Sequence, residues 1–274
     1  MTTVHTSENL RQAESLLAFW AEAGVDAMLV EAPVDRIAAG RIAAPRPAAP
    51  AAAAQPARPA AGPAADVAAQ IEVARRMAAA AGDLAALAEA IAAFDGCPLK
   101  FAGAARQSVF GRGNPAAPVV VIGEGPGAEE DARGLPFVGR AGQLLDRVLA
   151  AAGLTERVFI TNTVFWRPPG NRTPILAEQS VCEPFVERAI ELISPRFLLL
   201  VGGASAKAML KRDEGVLALR GRWFAWRATD GQREIPALPT LHPAFLLRQP
   251  AAKKRAWSDL MTLTERLDRQ ERPA

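Results

Sequence analysis

The stretch PVVVIGEGPGAEED, residues 118–131, joins an uninterrupted apolar run to a glycine-rich loop and then to three consecutive acids. Val119 to Ile122 are all β-branched and lie between Pro118 and Gly123, the composition of a short strand buried on both faces. The loop that follows fits G-x-G-x-x-G/A through Gly123, Gly125 and Ala128, and Asp146 lies about 20 residues on, as in a dinucleotide-binding turn. Its chemistry fits poorly. Pro126 has no N–H to offer a pyrophosphate, and Glu129, Glu130 and Asp131 put negative charge where the phosphates would lie. A different ligand is expected at this strand end.

Working outward, the same alternation repeats. Candidate strands at Pro118–Gly123, Arg157–Asn162, Arg196–Val201 and Ile235–Leu241 are separated or followed by helical stretches at Ala141–Ala152, Ile175–Ile193, Ala204–Lys211 and Lys253–Leu267. This predicts an α/β fold, a three-layer α/β/α sandwich around a central, mainly parallel four-stranded sheet. Each promising motif follows the C-terminal end of a strand, where open α/β sheets place their ligands.

Upstream, Leu10, Leu16, Leu17, Phe19 and Trp20 recur at near-helical spacing behind Ser7, predicting a short amphipathic helix within an N-terminal segment 1–42. Residues 43–65 are Ala or Pro at 19 of 23 positions, which predicts a disordered linker, because repeated Pro forbids a continuous helix and Ala buries little. An Ala-rich connecting helix is expected over 66–93, and the main domain over 94–274. The helix at the end of a long linker reads either as an arm for a protein partner or as a passive extension.

Half of the 274 residues are hydrophobic and 22% are charged, which suits one sizeable core. The first ten residues lack a basic and apolar leader pattern, and no apolar run approaches the roughly 18 residues of a membrane span, so a cytoplasmic monomer with no membrane partner is expected. Two cysteines, Cys97 and Cys182, are too few for a disulfide framework or a four-thiolate iron–sulfur cluster. Residues 96–274 carry 25 Lys and Arg against 18 Asp and Glu, whereas residues 1–95 carry 7 against 11. A basic domain is compatible with a phosphate backbone and equally with an ordinary soluble surface.

Three loops carry the chemistry, and each has a plain structural reading beside the functional one. In GEGPGAEEDARGLPFVGRAG, residues 123–142, Phe137 is either a plug into the core or a stacking face for a planar ligand. In TNTVFWRPPGNRTP, residues 161–174, Asn162 is either a turn former or a donor–acceptor pair for an amide-bearing ring edge, and Arg167, Asn171 and Arg172 either hold a phosphate or are solvated. In LHPAFLLRQP, residues 241–250, His242 is one of two histidines in the chain. Leu246, Leu247 and Arg248 read as an apolar wedge with a cation for a DNA groove, or as the first turn of the final helix. A small-residue loop with an aromatic, an Asn and a His at one sheet edge together describe a pocket for a flipped pyrimidine.

GEGPGAEEDARGLPFVGRAGQLLD, TNTVFWRPPGNRTP and HPAFLLRQP resemble, in order and spacing, the motifs of the family-four uracil-DNA glycosylases, the bacterial and archaeal iron–sulfur type. The resemblance covers about residues 94–267 and implies base excision repair of uracil in single- or double-stranded DNA. It implies that Phe137 stacks on the extruded uracil, that Asn162 pairs with its Watson–Crick edge, and that His242 stabilises charge developing on the uracil O2. Glu124, Gly125 and Gly127 would line the pocket and place the attacking water. Gly125 stands where a better known glycosylase class has an Asp, which leaves the identity of any base open. Arg167, Arg172, Leu246, Leu247 and Arg248 would contact DNA.

The departures are as informative. The family's cluster uses four cysteines; Cys97 and Cys182 match the outer two, but Lys100 and Trp166 occupy the other positions. Neither can ligate iron as a thiolate does, so no cluster or other metal is expected, with Trp166 and the Lys100 stem filling part of its volume and the two thiols lying close together. Val138 to Gly142 run without the insertion found in a uracil-crosslinking relative, which disfavours covalent capture. The expected activity is a monofunctional glycosylase. The alternative from another class is a non-catalytic or altered-specificity DNA-binding protein on the same fold, and an NAD-dependent oxidoreductase ranks last because of Pro126.

Overall fold

The computed structural model describes residues 63–271, and the amphipathic helix at 8–30 and nearly all of the Ala/Pro linker lie outside the described residues. The first elements are α1 (Pro63–Ala80) and α2 (Leu84–Ala93). The sequence reading has one helix here, and the structure divides it. Asp83 takes an extended conformation and caps α2 by accepting a hydrogen bond from Ala86 N, while Arg188 donates to Ala81 O from Nε (3.1 Å) and Nη2 (2.8 Å) just beyond the end of α1.

The α/β body then runs β1 (Gly111–Gly113), β2 (Val119–Gly123), α3 (Ala128–Arg133), α4 (Arg140–Ala151), β3 (Val158–Asn162) and α5 (Leu176–Ile193). It continues with β4 (Phe197–Val201), α6 (Gly203–Leu210), the single turn α7 (Val216–Leu219), β5 (Phe224–Arg227), β6 (Glu234–Thr240), α8 (Pro243–Arg248) and α9 (Lys253–Glu271). The sheet has six strands in the order β1-β3-β2-β4-β6-β5. Its four central strands are parallel, in register from Val119 opposite both Val158 and Phe197 to Val201 opposite Thr240. These are the four strands read from the sequence. The four-strand count needs correcting, because β1 and β5 add antiparallel edges beside β3 and β6. They are too short, at three and four residues, to leave a periodic signal.

Both faces of the sheet are covered, which explains the apolar runs. Val120, Ile122, Leu198 and Leu200 pack with Ala74 and Ala78 of α1, Leu87 and Ile91 of α2, and Val181, Phe185 and Ile190 of α5. Val119, Val121, Leu199 and Val201 face the other way, onto Leu145 and Leu149 of α4 and Leu260, Leu263 and Leu267 of α9. Alternate side chains of one strand thus enter separate cores, the three-layer arrangement that makes every central position apolar. The consequence for function is geometric. The loops after β2, β3 and β6 open on the same edge of the parallel sheet.

Candidate active site

Those three loops surround a cleft of about 640 Å³ whose walls include Glu124, Gly125, Gly127, Phe137, His242 and Arg248. The acidic run of the first loop serves structure. Glu130 accepts from Gly127 N at 3.1 Å, reaching back to the N-cap of its own helix, and the same carboxylate accepts from Val138 N and Gly139 N at 2.9 Å. One side chain therefore ties the glycine loop to the segment that bears Phe137. Asp131, almost fully buried, accepts from Arg106 N at 2.7 Å.

Phe137 adopts a left-handed backbone conformation, φ 54°, rare for an aromatic residue. Its ring lies 5.8 Å from that of His242, tilted by 35°. Asn162, the last residue of β3, is 1% exposed, and its Oδ1 has no hydrogen-bond partner among the described residues. A Cβ on Gly123 would come within 2.5 Å of both that oxygen and the Phe137 ring, so glycine is the residue that lets the two side chains share the end of β2. Glu124 contributes through its backbone, its carbonyl accepting from Thr163 Oγ1 at 2.6 Å.

His242 caps α8, its Nδ1 accepting from Ala244 N at 3.2 Å. Burial, with help from the Arg248 charge and against the opposing Glu130 charge, lowers its pKa to about 4. At neutral pH the ring is therefore uncharged, and with Nδ1 an acceptor its single proton sits on Nε2. The strand that delivers it is anchored from behind. Thr240 Oγ1 donates to Asp259 at 2.7 Å, and Asp259 in turn pairs with Arg220.

The candidate DNA contacts divide. Leu246 is 4% exposed and packs with Leu144, Leu241 and Ala256, so it anchors α8 and is not available as a wedge; Leu247 and Arg248 are exposed. Their helix is also separate from α9, correcting the reading that makes them its first turn. Arg172 borders the cleft, but its guanidinium is engaged by buried Glu178 in two hydrogen bonds of 2.8 and 2.6 Å. Arg167 donates to Asn171 Oδ1 at 2.7 Å. The loop's polar residues thus stiffen it as much as they face a ligand. Sequence reasoning missed Arg140, a cation of the cleft wall at the first position of α4, and the bridging of Glu130 to Val138 and Gly139.

The matched cluster positions also come together. Cys97 and Cys182 have their Sγ atoms 3.8 Å apart, both buried and unbridged. A hydrogen bond from Cys182 holds the Cys97 thiol below its ordinary pKa, and burial pushes that of Cys182 well up. Trp166, 1% exposed, fills the adjacent space against Phe94 and Phe165 at ring distances of 6.5 and 6.3 Å. Lys100 points its Nζ away to Ala92 O (2.6 Å), Phe94 O (3.2 Å) and Asp95 Oδ1 (2.8 Å), closing the end of α2. Among the described residues no group of three or more His, Cys, Asp or Glu side chains could hold a metal ion. This donor set does not fit a four-thiolate cluster.

Phe137 and His242 thus line a cleft at the C-terminal edge of a parallel α/β sheet, with the buried Asn162 amide beside the Phe137 ring at the end of β3. Residues 110–261 match the model of the uracil DNA glycosylase superfamily, and the chain belongs to it. The chain is 40% identical over 184 residues to the type-4 uracil-DNA glycosylase of Pyrobaculum aerophilum, covering 65% of this chain and 91% of that one. It is 38% identical to the type-4 enzyme of Saccharolobus solfataricus, covering 59% and 77% of the two chains. With the type-4 enzyme of Thermotoga maritima it shares 40% identity, covering 51% and 71%.

Proposed function

We propose that the protein hydrolyses the N-glycosidic bond of deoxyuridine in DNA, leaving an abasic site, as the first step of base excision repair. The observation that carries this reading is the unpartnered Oδ1 of Asn162 against the Phe137 ring. A buried acceptor without a donor is costly unless a ligand supplies one, and uracil N3–H is such a donor. The Asn162 amide would donate in return to O4. Cytosine reverses both polarities at that edge, so it would meet acceptor with acceptor and donor with donor.

Phe137 would stack on the extruded base while His242 Nε2–H donates to O2. As the C1′–N1 bond breaks, its electron pair passes into the uracil ring and charge grows on O2, where a positioned donor helps most. Water held by the Glu124–Gly127 loop would add to C1′ and release its proton to solvent. A dissociative step with an oxocarbenium-like sugar needs little base assistance, in keeping with Gly125. No lysine borders the cleft among the described residues, so the enzyme would form no Schiff base and cleave no strand. Leu247, Arg248, Arg167 and Arg172 remain the proposed DNA contacts.

In this reading the protein acts as a cytoplasmic monomer, without an iron–sulfur cluster. No helix among the described residues is long and apolar enough to cross a membrane. The absence of the cluster is supported by Trp166 packing and Lys100 capping at two ligand positions. Purified protein is expected to show no stoichiometric iron and no loss of activity with chelators; iron at cluster stoichiometry contradicts it. Lys100→Ala, which removes three hydrogen bonds at the end of α2, is expected to destabilise the fold by about 1–3 kcal/mol in a urea titration.

The reading itself is tested with labelled oligonucleotides carrying one deoxyuridine, single- and double-stranded, treated with alkali to reveal abasic sites. Cleavage that depends on both uracil and His242 supports it. Intact DNA binding without cleavage supports the non-catalytic alternative.

A further inference from the structure

The three-residue edge strand β1 carries one long side chain, Arg112, opposite Ile160 of β3. Its guanidinium donates from Nε to Pro136 O at 2.8 Å and from Nη2 to Phe137 O at 3.1 Å. The same Nη2 reaches Asp146 Oδ1 of α4 at 2.6 Å. These bonds converge on the residue whose backbone is least comfortable. A left-handed conformation at an aromatic persists only where its surroundings over-determine it.

Three restraints meet there. Glu130 holds the following N–H groups, of Val138 and Gly139. Gly142 lets α4 close directly on the Phe137 carbonyl, since a Cβ at that position would overlap it. Arg112 is the restraint that ties the turn to the sheet, by charge-assisted bonds to two successive carbonyls. We propose that Arg112 is a positioning residue for the Phe137 ring and thereby for the base that stacks on it. This rests on the uracil-binding reading above, and it assigns Arg112 no contact with substrate. Asp146 orients the guanidinium from the solvent side, its side chain 49% exposed.

The rival account is that Arg112 staples α4 to the sheet edge for stability alone. A double-mutant cycle separates the two, using Arg112→Ala, Phe137→Leu and their combination on a uracil oligonucleotide. Arg112→Ala is expected to lower kcat/KM roughly 10- to 100-fold, since small misplacements near the reacting centre have effects of that size. If Arg112 acts through the ring, the double variant is no worse than Phe137→Leu alone; additive losses overturn the proposal. Arg112→Lys, which can still donate to a carbonyl, should recover part of the loss, and Arg112→Ala should weaken inhibition by free uracil.

A second readout does not depend on turnover. With 4-fluorophenylalanine in place of all eleven Phe, the Phe137 resonance, identified by its loss in Phe137→Leu, is expected to shift or broaden in Arg112→Ala. An unmoved resonance overturns the positioning role even if the wild-type protein proves inactive on uracil. Wild-type inactivity with a shifted resonance removes the glycosylase reading and leaves the Arg112–Phe137 coupling standing.

Discussion

His242→Ala is expected to reduce the rate of uracil release roughly 10²- to 10³-fold while leaving affinity for uracil-containing DNA within a few-fold, the pattern for removal of one preorganised donor to a developing oxyanion. The geometry sets both the size and the pH dependence. Because the imidazole is neutral and Nδ1 accepts from Ala244 N, the donor at Nε2 is in place before the reaction starts. With a pKa of about 4, the ring stays in this form across the neutral range. Single-turnover rates should therefore show no step near the ordinary imidazole pKa of about 6.5. They should fall only as pH approaches 4, where protonation of Nδ1 turns an acceptor into a donor facing another donor. A rate that rises as pH falls through about 6.5, an effect lost in His242→Ala, would show that the charged ring is the active form. Equal losses of binding and rate would recast His242 as structural.

Asn162→Asp is expected to change which base is accepted. A carboxyl group 1% exposed at the end of β3 is driven towards its protonated form, which can carry its proton on either oxygen and so can also present to cytosine the donor–acceptor order that the amide lacks. The ratio of uracil to cytosine excision should fall by about 10³ or more, as expected where a site built for one hydrogen-bond pattern meets another. The assay uses matched oligonucleotides with uracil or cytosine at one position, with thermal unfolding as a check on the buried carboxyl. An unchanged ratio in a folded variant would remove Asn162 from base reading.

The central strands were legible because helices cover both faces of the sheet and leave Val119–Ile122 and Phe197–Val201 no polar position. The edges were not. Gly111–Gly113 contains one side chain beyond hydrogen, and in Phe224–Arg227 the fully buried residue is Trp226 alone, so neither has a period to detect. The division of the first helix was readable from Gly82-Asp83, but the Ala-rich composition on either side masked it.

In the site, Phe137, Asn162 and His242 stood out because each ends or follows a strand within a long motif, and the structure brings them together. Leu246 and Arg112 show what such a reading lacks. A leucine beside another leucine gives no sign of which one turns inward, and an arginine between two glycines says nothing about a carbonyl 25 residues away. Both are decided by tertiary packing.

The buried Asn162 Oδ1 also bears on how stable this protein can be. The described residues bring no donor to this buried acceptor, and leaving such a group unsatisfied costs a fold about 1–3 kcal/mol. The deficit is made good when an N–H arrives in the pocket, so occupancy by the proper base should register as a gain in global stability beyond what its contact area supplies. Selectivity and robustness are here set against each other at a single oxygen atom.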